Sequence, residues 1–138
     1  MPLHQRKIKL ITFALDSETF ECQIRSWMLN NNTSDGEVIY TLCPDGESRE
    51  EVDPDWSIDL TFLDDWRENG ISDYLTVNDG ELATVTIDHH PDIPAEHVRW
   101  TGEVKLRAPS VGGEARATEQ HDITLPCTGK PVYSRVGV

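Results

Sequence analysis

Asp88, His89, His90, Asp92 and His97 are the side chains in this sequence best suited to hold a metal ion. Imidazoles and carboxylates together suit zinc, and a metal-activated water would make the cluster a hydrolase. That chemistry needs the donors to converge on one point. Two adjacent histidines at a strand end project to opposite sides of it, so the spacing predicts no metal. The loop's acids do not follow the D-x-D-x-D-G order of a calcium loop either. Asp64 and Asp65 would suit a general acid and base. They sit where a strand gives way to a helix, however, and carboxylates at a helix start answer its unpaired amides. Cys22, Cys43 and Cys127 are odd in number and lack Cys-x-x-Cys spacing, which predicts reduced thiols and synthesis in a cytoplasm. There is no Gly-x-Ser-x-Gly elbow, and Gly112-Gly113 lacks the lysine and helix of a phosphate loop. The expectation is a protein that is not an enzyme, with no catalytic residue, no cofactor and no metal.

The elements that would carry these residues are mostly strands. The organising stretch is residues 56–75, WSIDLTFLDDWRENGISDYL. Ile58, Leu60 and Phe62 alternate with polar residues as a strand with one buried face, and Ile71, Tyr74 and Leu75 then fall at helical spacing. Trp56 and Trp66 bracket the strand as candidates for sheet-to-helix packing. Before it, residues 7–15 read as a strand buried partly on both sides. Residues 20–29 read as a second, with Phe20, Cys22, Ile24 and Met28 on one face and Trp27 on the other. The two read as a hairpin. After it, Gly80 marks a helix stop, residues 82–88 form a strand with Ala83, Val85 and Ile87 inward, and Val98, Trp100, Gly102, Val104 and Leu106 alternate with charged and polar residues. Gly102 leaves room for a tryptophan or a bend. Ile123, Leu125 and Cys127 close the set. The predicted core is Ile24, Ile58, Leu60, Phe62, Tyr74, Leu75, Val85, Trp100 and Val104.

The architecture expected is mainly β: an antiparallel β-sandwich or split β-barrel with one short flanking α-helix and a long β-hairpin loop. The 138 residues make one domain, 1–138, with a C-terminal arm at 128–138. Residues 30–55 carry turn formers and eight acids against Arg49 alone, with strand composition only around Val38, Ile39 and Tyr40. Such a segment cannot bury itself well, and it reads either as a floppy surface insertion or as a projecting arm that orders only against another subunit. The formal charge of −13 speaks against wrapping nucleic acid by neutralising phosphates. The first twenty residues read as strand rather than signal peptide, and no run is long enough to span a membrane.

Residues 56–75 followed by residues 100–132, WTGEVKLRAPSVGGEARATEQHDITLPCTGKPV, resemble the major tail proteins, or tail tube proteins, of long-tailed siphovirus-type bacteriophages, particularly those infecting actinobacteria. The matching positions are the strand at Trp56, the helix ending in Tyr74-Leu75, Trp100, Ala108-Pro109, Gly112-Gly113-Glu114 and Gly129-Lys130-Pro131. The resemblance implies a structural virion protein, made in a host cytoplasm, whose hexameric rings stack into a hollow, non-contractile tail tube. It implies contacts with tape measure, terminator and distal tail proteins, and transient passage of DNA that does not adhere. The long loop would reach a neighbouring ring, with Asn32, Asp35, Val38, Ile39, Tyr40, Asp45, Glu50 and Glu51 as its contact candidates. Asp59 and Glu103, which the alternation keeps out of the core, are candidates to line an acidic bore.

Three other readings share these residues. One is a tail terminator or baseplate piece of the same fold. A second is an acidic β-sandwich binding module that stays monomeric and exposes one concave or aromatic patch. The third is the metal-assisted hydrolase built on His89, His90 and Asp92.

Overall fold

The structure is a computed structural model that describes residues 2–136; the end of the predicted C-terminal arm, positions 137 and 138, lies outside the described residues. The chain forms β1 (Ile11–Leu15), β2 (Glu18–Thr19), β3 (Ile24–Asn31), β4 (Val38–Ile39), β5 (Ser48–Arg49), β6 (Trp56–Leu63), α1 (Ile71–Val77), β7 (Leu82–His89), β8 (Val98–Lys105), β9 (Gln120–Pro126) and β10 (Val132–Arg135). Every pairing is antiparallel. One sheet runs β10-β8-β7-β1-β2, a second runs β3-β6-β9, and β4 and β5 form a two-stranded ribbon. The fold is a mainly β sandwich with one short helix, and the barrel does not close. The two large sheets touch at an isolated bridge between Val104 and Cys127.

Alternation explains the core. Phe13, Leu15, Val85, Ile87 and Val104 from the larger sheet meet Ile58, Leu60, Phe62 and Leu125 from the smaller, all essentially buried. Ile71 and Leu75 of α1 join the same cluster fully buried, with Tyr74 and Ile24 packed against it. Register shows where the helix sits. The strand ends at Leu15, Leu63, Leu82, Lys105 and Gln120 lie together, and backbone bonds from Gly80 and to Glu81 tie Leu106 to the chain just after the helix. Asp16 accepts the Tyr74 hydroxyl at 3.0 Å at this same end. The helix therefore plugs one end of the sandwich and leaves the other open.

Several expectations change in three dimensions. Strand β1 begins only at Ile11, and Ile8 and Leu10 stand largely exposed on an irregular lead-in. The expected hairpin of the first two long strands does not form. Phe20 to Gln23 make a turn, and β3 crosses to the other sheet to pair with β6. Its alternation also breaks, because the register shifts between Ile24 and Ser26. Such a bulge moves every following side chain to the opposite face. Ile24, Trp27 and Leu29 then sit opposite the buried Phe62, Leu60 and Ile58, while Met28 points outward and is 61% exposed. Trp66 is exposed and Trp56 packs on Trp100 with ring centroids 5.9 Å apart, so neither cements sheet to helix. Gly102 lies against Pro131 rather than a tryptophan: a Cβ there would touch the proline at 3.4 Å, an ordinary contact. The segment after Pro126 reads from sequence as a free arm, yet Val132 to Arg135 pair with β8 of the same chain. Its faces carry too little apolar alternation to announce a strand.

Candidate functional site

The open end of the sandwich is where the two sheets separate around unpolished aromatic surface. Trp27, Leu29 and Asn31 of β3 and Trp56 of β6 project inward from one sheet, and His89 and Trp100 from the other. With Ile8 of the lead-in they enclose a groove of about 440 Å³. Trp56 and Trp100 face each other across it, and Trp100 packs at a tilt against Tyr133, centroids 5.0 Å apart. Trp27 meets His89 edge to face at 5.5 Å. Trp27 Nε1 and His89 Nε2 are enclosed without a hydrogen-bond partner. Burial, together with the neighbouring His90, holds the His89 imidazole below its usual range. Three of the four tryptophans of the chain line this one groove. Such a surface suits flat or branched apolar groups rather than chemistry.

A ribbon rises from the lip of the groove. Asn31 and Trp56 form the last rung of β3 and β6, and beyond it Asn32 N–H donates to Asp55 at 2.6 Å. The two chains stay side by side: Glu50 N–H donates to Glu37, and Val38 and Ile39 pair with Arg49 and Ser48. Gly36 permits the close approach, since a Cβ there would fall 2.3 Å from the Glu50 carbonyl oxygen. Of the eight loop candidates, Asn32 is tied to the root, with its side chain donating to Ser57 Oγ at 2.9 Å. Val38 is partly buried within the ribbon, and Asp35, Ile39, Tyr40, Asp45, Glu50 and Glu51 are exposed. The strand expected around Val38, Ile39 and Tyr40 is only two residues long, so Tyr40 and Leu42 lie beyond it, 74% and fully exposed.

The two bore candidates are not neighbours. Asp59 lies on the outward face of the smaller sheet, where it accepts from Asn30 and Thr124, both at 2.6 Å. Asp122 shares that face, with Arg25 at its margin. Glu103 lies outward on the larger sheet, accepts from Thr128 at 3.0 Å, and has Lys105 and Arg99 along the same strand face. The sheets are packed face to face, so these acids point away from each other.

The histidine cluster is also not what strand alternation predicts. His90 adopts φ +53, which turns its ring back until it stacks on His89 with centroids 4.2 Å apart. Asp88 is committed elsewhere, accepting from Arg99 Nε at 2.6 Å and Nη2 at 3.3 Å, with His97 Nε2 at 3.6 Å. Among the described residues no group of three His, Cys, Asp or Glu is placed to hold a metal ion. No described helix is long and apolar enough to cross a membrane.

The two aspartates before α1 do not cap it. Gly70 holds the cap position with no side-chain bond. Asp65 instead binds Arg67 at 2.9 Å, which holds its carboxyl below the usual range. Asp64 is fully enclosed: its Oδ1 accepts from Ser72 Oγ at 2.8 Å and its Oδ2 lies 2.5 Å from His121 Nδ1. Serine, histidine and aspartate are the parts of a hydrolytic triad, but here the carboxylate stands in the middle and the serine is completely buried. It is a structural latch between β6, α1 and β9. Nothing in residues 64, 72 and 121 signals it, because they meet only when the fold brings them together. No protein-family model and no curated protein matches the sequence.

Proposed function

We propose that this protein is a self-assembling structural subunit, the building block of a phage tail tube made of stacked hexameric rings. The observation that carries the reading is the ribbon of residues 32–55. It is held at its root by Asn32 and Asp55, paired at Val38 and Ile39 with Arg49 and Ser48, leaves the body beside Trp56, and holds apolar and acidic side chains in solvent. An arm of that kind is costly to maintain in a monomer and is useful when another subunit covers it. The edges of both sheets support the same reading, since β3 and β9 bound one and β2 and β10 the other. Unpaired edges join subunits by strand pairing, and head-to-tail contacts that close make rings.

Within a tube, the face bearing Asp59 and Asp122 is the better bore wall than the face of Glu103, which shares its strand face with Lys105. Like charge repels passing DNA within about 8 Å at physiological salt, so the wall resists adhesion without blocking passage. Tail terminator and baseplate roles would use the same surfaces at a tail end. A second reading, a ligand-binding sandwich, is favoured by the groove of Trp27, Trp56 and Trp100. Negative-stain microscopy of the purified protein separates them. Rings or tubes are the expected result, and isolated particles at every concentration would overturn the tube.

A further inference from the structure

The tryptophan groove is lined by apolar and aromatic side chains together with Asn31 and His89, and among the described residues no lysine, arginine, aspartate or glutamate lines it. Burial holds the His89 imidazole below its usual range, so at neutral pH it adds no charge. A charged molecule entering the groove would lose water and meet no counter-charge. The wall therefore suits an uncharged ligand, and a volume of about 440 Å³ admits one of a few rings. Trp56 and Trp100, tilted 37° to each other, offer flat faces on which an aromatic ring can stack.

Two polar atoms of the wall lack partners. Trp27 Nε1 and His89 Nε2 are enclosed and make no hydrogen bond. An indole N–H can only donate, and an enclosed donor costs free energy until an acceptor meets it. Trp27 also divides two spaces: with Ile8 it lines both the groove and a neighbouring cleft of about 220 Å³ beside the lead-in. The indole has room on both sides, and a small turn of the ring presents its N–H to the groove.

We infer that the groove is a binding site for an uncharged, flat aromatic small molecule that carries a hydrogen-bond acceptor, its rings against Trp56 and Trp100 and its acceptor on Trp27 Nε1. The inference rests on the second reading above, the ligand-binding sandwich, and adds the class of ligand. The apolar wall supplies affinity for any flat ring, and the enclosed donor supplies selectivity, because only a ligand with an acceptor satisfies it. Phosphates and carboxylates are poor ligands here, since no cation lines the groove to receive them.

The test titrates the full chain at neutral pH with quinoline and with naphthalene, uncharged probes of one shape that differ by a single ring-nitrogen acceptor. Nuclear magnetic resonance of the indole N–H signals, assigned by single tryptophan-to-phenylalanine changes, reads both affinity and the tryptophan that responds. Quinoline is expected to bind about ten-fold more tightly than naphthalene and to move the Trp27 signal downfield. Trp27→Phe keeps an aromatic ring without the donor and is expected to bind the two probes equally. Trp66→Phe, at an exposed position outside the groove, is expected to keep the wild-type preference. Equal affinities in wild type, or a preference that survives Trp27→Phe, overturn the acceptor role and leave an apolar groove that takes ligands. Binding of neither probe overturns the ligand-binding reading as well. If circular dichroism shows that Trp27→Phe does not fold, the comparison of the two probes on wild type still supports or overturns the site.

Discussion

Trp27 and His89 meet edge to face across the open end of the sandwich, their ring centroids 5.5 Å apart, although they belong to different sheets and lie 62 positions apart in sequence. Burial first, and the adjacent His90 second, lower the His89 pKa below 6.5. A folded pKa below the unfolded one means that the unfolded chain binds more protons as the pH falls. Stability from this group is complete above about pH 6.5 and declines as pH falls toward the lowered folded value. Thermal unfolding of wild type should therefore drop between pH 7.5 and 5.5 more steeply than that of His89→Gln. Parallel slopes for the two proteins would contradict it.

The latch of Asp64 with Ser72 and His121 should dominate local stability. Asp64→Ala leaves a buried hydroxyl and a partly buried imidazole without their acceptor and is expected to cost about 3 kcal/mol in denaturant unfolding. Arg67→Ala removes only the exposed ion pair of Asp65 and should leave the midpoint where it is. An Asp64→Ala protein as stable as wild type would show that the three groups do not act together.

Neighbouring positions on β3 should respond oppositely to truncation. The bulge after Ile24 turns Leu29 toward Ile58 and turns Met28 out. Leu29→Ala is expected to cost about 2 kcal/mol and Met28→Ala under about 0.5 kcal/mol. The reverse order would mean that the strand keeps an unbroken alternation.

Tyr74 offers a spectroscopic check of the plugged end. Its hydroxyl donates to Asp16 Oδ2, and burial followed by that carboxylate pushes its pKa up to about 12 from 10.0. A raised folded pKa gives stability that is whole below pH 10 and lost as pH rises toward 12. Tyrosinate absorbance at high pH should show this tyrosine ionising late, and Asp16→Ala should bring it earlier. No change with Asp16→Ala would remove the carboxylate as a cause.

Charge reversal should separate the two outward faces. If assembled tubes form, Asp59→Lys is expected to make them retain DNA at low salt, and Glu103→Lys to have little effect. Retention by Glu103→Lys alone would place the bore on the other sheet.

Much of the fold is legible in the order of side chains. Alternation at Ile58, Leu60 and Phe62, at Ala83, Val85 and Ile87, and from Val98 to Leu106 is a local property, and so is the helical spacing of Ile71 and Leu75. Each needs only to know which side of the backbone is apolar. The eight acids against one arginine in residues 30–55 likewise predict a segment that leaves the core, since no arrangement of them could be buried. Tertiary structure decided what depends on partners distant in the chain. The bulge in β3 exists because Ile24 and Trp27 must both face residues of β6, and no residue in β3 itself records that demand. Val132 to Arg135 become a strand because β8 presents an unpaired edge to them. Asp64, Ser72 and His121 become a latch only where three element ends coincide. The groove followed in the same way: Trp27, Trp56 and Trp100 are ordinary strand residues in the sequence, and they line a groove because α1 closes the opposite end of the sandwich and, among the described residues, none closes theirs.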